Sequence, residues 1–368
     1  MAEYKYSSIV EWARKYIASH GLKPHDRFFT EKELCDMHGV SRQTVRQALM
    51  QLESEGMICR TRGSGTFVGE HRMTAPQGGA AKNVGVITTY FSDYIFPHIV
   101  TGIEGVLNMS GITMQISITR DQVAEERKAL MNMISQGVSG IIAEPSKSAL
   151  PNPNMDLYTE LRSLNIPVVF INAKYTWSDS PCVAMDDEAA GRIVTDYLFE
   201  CGHRNIFGIF PHDDMQGHKR YSGFMRSISA HGGTGAEQKV LWYPACDKNV
   251  FLDYSEQRLS ELICSSTGVV CYNDDIAVKL MVICRERGIR VPEDISIVGI
   301  DDARIASVCG TPLTTVTHPQ KKLGETAAKQ LLSMMNNGIR SGDDILFMPE
   351  LVERESVSKI RYTDSTAI

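Results

Sequence analysis

The sequence predicts an α/β protein in two parts, a small helical N-terminal domain and a large module of two parallel-sheet subdomains. Three observations carry this. The first fifty-five residues show three helical patterns, the last two separated by Gly39. A stretch rich in Pro, Gly and Ala, HRMTAPQGGAAK, interrupts the chain at residues 71–82 and reads as a flexible linker. From Asn83 onward, short β-branched runs alternate with helical patterns of ten to fifteen residues, which is the signature of parallel strands covered by helices.

In the N-terminal part, Ile9, Trp12, Ala13, Tyr16 and Ile17 recur at helical spacing and give a first helix one apolar face. Thr30 and Glu33 form a capping box for the helix EKELCDMH. Ser41 caps a third helix whose Val45, Leu49 and Leu52 face inward, leaving Arg42, Gln43, Thr44 and Arg46 outside. A short helix, a glycine turn and a longer helix with Arg, Gln and Thr in its first turns suit the DNA major groove. Arginine matches guanine and glutamine matches adenine. The segment MICRTRGSGTFVG reads as a hairpin about Gly63-Ser64-Gly65, with Arg60 and Arg62 beside a tip slim enough to approach a phosphate.

In the large part, the strand runs are NVGVITTY, TMQISIT, GIIAEP, IPVVFIN, PCVAM, NIFGIF, KVLWY, GVVCYN and ISIVGID. Ligands of such sheets bind beyond the carboxyl ends of the strands. Polar residues collect there: Thr88-Thr89-Tyr90, Glu144 to Lys147, Asn172, Asp186-Asp187, His212 to Asp214, Asn273 to Asp275 and Asp301-Asp302. Several charged and amide partners, with an aromatic wall from Tyr90, Phe91, Tyr94, Phe96 or Trp177, suit a polyol.

Composition narrows the class. The chain has 368 residues, 43% of them hydrophobic and 22% charged, as expected of a globular protein with sizeable cores. No apolar run is long enough for a membrane span, the N-terminus lacks a signal-peptide pattern, and nine scattered cysteines without a C-x-x-C pair fit a reducing cytoplasm. The net charge is −6, yet residues 1–72 carry 11 Lys+Arg against 9 Asp+Glu, so any nucleic-acid contact is expected in the N-terminal fifth. With no G-x-S-x-G, no P-loop and no metal-spaced histidines, neither an enzyme nor a bound cofactor or metal is expected.

The motifs TEKEL, GVSRQTVRQAL and RGSGTFV resemble the winged-helix domain of the GntR family. The resemblance implies a DNA-binding set of Lys5, Lys32, Ser41, Arg42, Gln43, Thr44 and Arg46, with wing residues Arg62, Gly63, Ser64, Gly65 and Thr66. The motifs ECGHRNI, Arg220-x-x-Gly223-Phe224, CYNDDIA, IRVPEDISIVGIDD and TPLTTV resemble the LacI/GalR effector domain, itself similar to periplasmic sugar-binding proteins. That implies that Arg220 donates hydrogen bonds to sugar hydroxyls and that Asp274 accepts them. The expected effector set is Tyr90, Asp93, Tyr94, Glu144, Lys147, Asn172, Gln216, Arg220, Asp274 and His318. The implied domains are a winged helix over 1–70, a linker over 71–82 and a two-lobed module over 83–360. The lobes are expected over 83–176 with 302–317, and over 177–301 with 318–360, hinged near 174–180, 300–304 and 316–320. The combined architecture resembles the arabinose-responsive repressors of Gram-positive bacteria. It implies a homodimer on palindromic operator DNA, released by L-arabinose. A different sugar or a sugar phosphate as effector, and activation in place of repression, remain the alternatives.

Overall fold

The computed structural model describes residues 9–360 except 11, 14–15, 18–21, 23–24, 55–56, 62–64, 69–81, 92–93, 234–238, 246–255 and 339–341. It divides into two compact units, Met1–Ala80 and Ala81–Ile368. The expected linker lies outside the described residues save for Lys82.

In the first unit, helix α1 (Glu31–His38) starts at Thr30, whose hydroxyl accepts from the Glu33 amide while Glu33 Oε2 accepts from the Thr30 amide. It stops at Gly39, held at φ 60°, a left-handed value that glycine adopts without steric cost. Helix α2 (Arg42–Ser54) follows, then the antiparallel hairpin β1 (Ile58–Thr61) and β2 (Gly65–Val68). Arg27 bridges to Phe67 on the open side of that hairpin. One core joins these pieces: Ile9 and Ala13 of the first helical segment, Leu34, Val45, Leu49, Leu52, Ile58 and Val68.

The second unit has two lobes. The first lobe is built from β3 (Asn83–Thr88), α3 (Phe96–Met109), β4 (Thr113–Ile118), α4 (Val123–Ser135), β5 (Gly140–Ala143), α5 (Met155–Ser163), β6 (Val168–Ile171) and β7 (Cys182–Met185). The second lobe takes α6 (Asp187–Glu200), β8 (Ile206–Pro211), α7 (Met215–Ala230), β9 (Val240–Tyr243), α8 (Glu256–Cys264), β10 (Gly268–Cys271), α9 (Asp274–Glu286), β11 (Ser296–Val298), α10 (Arg304–Val308) and β12 (Thr315–Val316). The chain then returns to the first lobe for α11 (Gln320–Asn337) and β13 (Ile345–Phe347), and leaves it through β14 (Leu351–Val352). The first sheet runs β13-β7-β6-β5-β3-β4 and the second β11-β10-β8-β9. Every named pairing within both is parallel. All nine strand runs read from the sequence are present.

The lobe boundaries differ from expectation. Cys182–Met185, expected in the second lobe, pairs with β6 of the first through Phe170↔Cys182 and Ile171↔Val183. Residues 304–316, expected in the first lobe, belong to the second, because Ala306 and Leu313 pack with Ile297 and Leu280. The segment expected to close the second lobe supplies α11 and β13 to the first. The crossings therefore fall at Asp186–Asp187, at 317–320 and at 348–350, and only the second matches a predicted hinge.

Two backbone-to-backbone helix contacts fix each lobe. A Cβ at Gly102 of α3 would lie 2.2 Å from Lys321 O of α11, and one at Gly324 would lie 2.0 Å from Ile99 O. In the second lobe, a Cβ at Gly191 of α6 would lie 2.0 Å from Arg220 O, and one at Gly223 of α7 would lie 2.0 Å from Glu188 O. Side chains at these positions would force apart helices that carry the functional residues. Gly223→Ala is expected to cost about 1–3 kcal/mol or more through overpacking. Gly105→Ala, on the exposed face of α3 with open space about it, is expected to be neutral or to stabilise by about 0.5–1 kcal/mol. Urea denaturation of the two variants checks both.

Candidate effector site and DNA-reading surface

A cavity opens between the two lobes, beyond the carboxyl ends of their strands. Its wall includes Thr89, Tyr90, Tyr94, Phe96, Asp121 and Glu144 from the first lobe. The second lobe contributes Asp214, Gln216, Arg220, Tyr243, Tyr272, Asn273 and Asp301.

Arg220 anchors it. Its position on α7 is set by the Gly191 and Gly223 contacts, and its side chain is 2% exposed. Nε donates to Asp187 Oδ1 at 2.8 Å, Nη1 to the Tyr272 carbonyl at 2.7 Å and Nη2 to Asp301 Oδ1 at 3.0 Å. The guanidinium carbon also sits 4.6 Å from the Tyr272 ring centroid. Burial alone would disfavour its charge, but the two carboxylates reverse that and hold the guanidinium firmly protonated. Asp187 is fully buried, and that burial raises its carboxyl to about 6 even with Arg220 opposing the rise. Asp301 takes φ 112° and Asp302 φ 44°. Two successive left-handed non-glycine residues are strained. They are held by the strand bridge of Asp301 to Thr317 and by Arg354, which donates to Asp302 Oδ1 at 2.6 Å. The turn aims Asp301 at the cavity, where Oδ2 accepts from Tyr94 Oη of the other lobe at 2.8 Å.

Glu144 faces Arg220 from the first lobe. One oxygen accepts from the Thr89 amide at 2.9 Å and from the Thr89 hydroxyl, and the other from Asn172 Nδ2 at 2.8 Å. Its burial outweighs these bonds and lifts its carboxyl to about 7. Asp121 is raised to about 6 by the same cause, against the Lys147 amide and ammonium.

The predicted effector residues divide. Tyr90, Tyr94, Glu144, Gln216 and Arg220 stand on the wall. Asn172 lies behind it as the partner of Glu144. Lys147 is held between Asp121 and Asp213. His318 is buried, with neither ring nitrogen partnered among the described residues, and burial depresses it to about 4. Asp93 lies outside the described residues. Asp274 is corrected: it is fully buried, and its oxygens are taken by the Thr315 hydroxyl at 2.7 Å and the Ala303 amide at 2.8 Å. The wall positions at those strand ends belong instead to Asn273 and Asp301. Asn273 is the N-cap of α9, with Oδ1 accepting from the Ile276 amide at 3.1 Å. A cap residue stays at the strand mouth, whereas the first helical residue turns into the protein. That geometry was the signal available in CYNDDIA. Of the expected aromatic wall, Trp177 instead stacks on Tyr175 with centroids 5.2 Å apart. Phe91 is exposed and off the wall, and Tyr243 and Tyr272 take those places.

On the first unit, Lys32, Ser41, Arg42, Gln43 and Arg46 are exposed and Thr44 is half-buried. Ser41 Oγ accepts from the Thr44 amide at 3.3 Å, which starts α2. Arg46 pairs with Glu31 of α1 at 3.0 Å, so this base-reading candidate is held across the helix-turn-helix. Thr66 is corrected: only 6% exposed, its side chain is directed into the domain. Gly65 holds φ 117° at the hairpin. Lys5, Arg62, Gly63 and Ser64 lie outside the described residues.

A helix-turn-helix with a hairpin wing, joined to a two-lobed module with a polar cleft, defines the class: a DNA-binding transcription regulator carrying an effector domain. The family model for bacterial regulatory proteins of the gntR family matches residues 5–68, and that for a periplasmic binding protein-like domain matches 195–357. The arabinose metabolism transcriptional repressor of Geobacillus stearothermophilus is 40% identical over 364 residues, covering 97% of this chain and 98% of that one. The chain belongs to the family of arabinose metabolism transcriptional repressors, which are regulators and not enzymes. Among solved structures, a LacI family transcriptional regulator from Enterococcus faecium with bound ribose superposes with TM-score 0.64 at 24% identity. It is covered completely by 76% of this chain. The lac repressor dimer bound to operator and the anti-inducer ONPF has TM-score 0.64 at 23% identity, with 76% of this chain covering 96% of it. No helix among the described residues is long and apolar enough to cross a membrane.

The raised carboxyl of Glu144 gives a pH test. Its folded value lies above the unfolded one, so the folded state holds the extra proton between about 4.5 and about 7. The stability it contributes is full below about 4.5 and is lost as pH rises through about 7. Glu144→Gln is expected to flatten the fall in melting temperature between those values, as thermal melts at stepped pH would record.

Proposed function

We propose that this chain represses arabinose-utilisation genes as a homodimer on palindromic operator DNA, and that L-arabinose in the interlobe cavity releases it. The observation that carries the effector reading is the convergence of Arg220, Asn273, Gln216, Asp214, Glu144 and Asp301 on one cleft. These donors and acceptors suit hydroxyls, and Tyr90, Tyr94, Phe96 and Tyr272 are the aromatic residues of the wall, suited to C–H groups. A phosphorylated sugar fits poorly. The wall carries four carboxylates against Arg220, whose charge is already compensated by Asp187 and Asp301, although two of its five N–H donors remain for hydroxyls. A dianion placed there would meet acceptors and no uncommitted cation.

Lys32, Arg42, Gln43, Thr44 and Arg46, with the wing from Arg62, are the operator-reading set. Two copies would match half-sites about one helical turn, ~34 Å, apart. The two-fold of such an operator implies an isologous dimer. In support, the second lobe carries a groove in which Val278, Met281, Val282 and Ile289 lie beside Arg285, Arg290 and Glu293, next to exposed Val308. Coupling between sugar and DNA needs only about 1–3 kcal/mol.

Fluorescence anisotropy of the full chain on an operator from its own upstream region, titrated with L-arabinose and with D-galactose as control, tests the reading. Release by arabinose alone is expected. Arg220→Ala, checked by its melting transition, is expected to bind operator and ignore arabinose. Normal release by that variant would remove Arg220 from the site, and indifference of the wild type to arabinose would overturn the effector assignment.

A further inference from the structure

Lys147 was expected to meet the sugar. The structure gives its ammonium two carboxylate partners instead, Asp121 Oδ2 of its own lobe at 3.1 Å and Asp213 Oδ2 of the other lobe. It does not stand on the cavity wall. The loop that carries it is pinned to the first lobe. The Ser146 amide donates to buried Glu126 at 2.8 Å, Ser146 Oγ to Thr119 Oγ1 at 2.9 Å, and the Lys147 amide to Asp121 Oδ1 at 2.8 Å, with Lys147 at φ 49°. Glu126 in turn accepts from Asn152, Tyr158 and Tyr175. The rigid loop thus presents three consecutive residues to the second lobe. Lys147 meets Asp213, the Ala149 amide donates to the Asp213 carbonyl at 3.3 Å, and Ser148 Oγ bridges Asp214 Oδ1 and the Met215 amide, each at 2.8 Å.

The receiving side is equally fixed. Asp213 Oδ1 accepts from the Ala245 amide at 2.7 Å, and Asp214 caps α7 while accepting from Tyr272 Oη at 2.6 Å. Helix α7 carries Arg220 further along. A lobe contact at its first turn therefore fixes the helix that positions the cavity's cation. The lobes also meet at Tyr94 and Asp301, both on the wall, where a sugar hydroxyl would replace that bond. Neither Lys147 nor Asp213 lines the wall, so a bound sugar need not replace that pair.

Resting on the sugar-cleft reading above, we propose that Lys147 and Asp213 form a lobe latch that favours the closed module before sugar arrives, and thereby sets effector sensitivity. Removing it depopulates the binding-competent form, and apparent affinity falls in proportion.

The test uses the full chain as wild type, Lys147→Met, Asp213→Asn, the double variant, and Lys147→Arg as the charge-conserving control. Without sugar, hydrogen exchange is followed in peptides containing the amides of Ala149 and Met215. Lys147→Met and Asp213→Asn are each expected to speed exchange there, and Lys147→Arg to restore protection. Calorimetric titration with L-arabinose is expected to show a loss of about tenfold for each single variant, with the double variant no worse than the weaker single. Affinity unchanged in Asp213→Asn but lost in Lys147→Met would make Lys147 a sugar ligand and overturn the latch. Unchanged exchange in both single variants would overturn it as well. Failure of the wild type to bind arabinose would overturn the effector reading, while the exchange measurements, made without sugar, would still decide the latch.

Discussion

One buried cation organises the effector module. Arg220 is removed from water, and its guanidinium is compensated by Asp187, Asp301 and the Tyr272 carbonyl, drawn from three separate stretches of the second lobe. Breaking such a buried pair costs about 3–5 kcal/mol because the remaining charge is left without a partner. The strained turn at Asp301-Asp302, the start of α6 at Asp187 and the end of β10 are therefore tied to one side chain. The chain passes from the first lobe to the second at Asp186–Asp187, so the same network sits at a crossing and at the cavity wall together.

The glycines of α6 and α7 make this possible. Close approach of the two helix backbones at Gly191 and Gly223 brings the α6 N-terminus within reach of a side chain one turn before Gly223 on α7. The R-x-x-G-F motif then has a physical reading: the arginine forms the network, the glycine admits the neighbouring helix, and Phe224 fills the core at 0% exposure. In the first lobe, Gly102 and Gly324 do the same for α3 and α11. That contact draws a segment late in sequence into the early lobe.

The fold was largely legible because most of its strands are short, buried apolar runs, and because Thr30, Gly39 and Ser41 punctuate the helix-turn-helix by local chemistry alone. The lobe boundaries were not, since which sheet a strand joins depends on contacts far apart in sequence. Cys182–Met185 looks the same in either sheet, and the stripe Leu323, Ala327, Ala328 and Leu331 specifies a helix without specifying its partner. At the site, Glu144, Gln216, Tyr90 and Tyr94 were readable as polar or aromatic residues near strand mouths and helix starts, and Arg220 through the R-x-x-G-F motif of the family resemblance. Asp274 was carried over from the resemblance of the Asn273-Asp274 motif, and the resemblance did not single out Asn273 or Asp301. Only the cap geometry of α9 and the positive φ of Asp301 show which side chain faces the cleft. Lys147 was expected to meet the sugar, but it stands off the wall, paired with Asp213 of the other lobe, 66 residues away, a contact that no local pattern shows.

The account makes the Arg220 network the place where sugar is read, and a crystal structure of the full chain grown with L-arabinose tests that most directly. Sugar hydroxyls within hydrogen-bond distance of Arg220, Asn273 and Asp301 are predicted, with the Tyr94 to Asp301 bond replaced and Lys147 still paired with Asp213. Sugar held elsewhere, with the Arg220 network and the Tyr94 bond both intact, would contradict it.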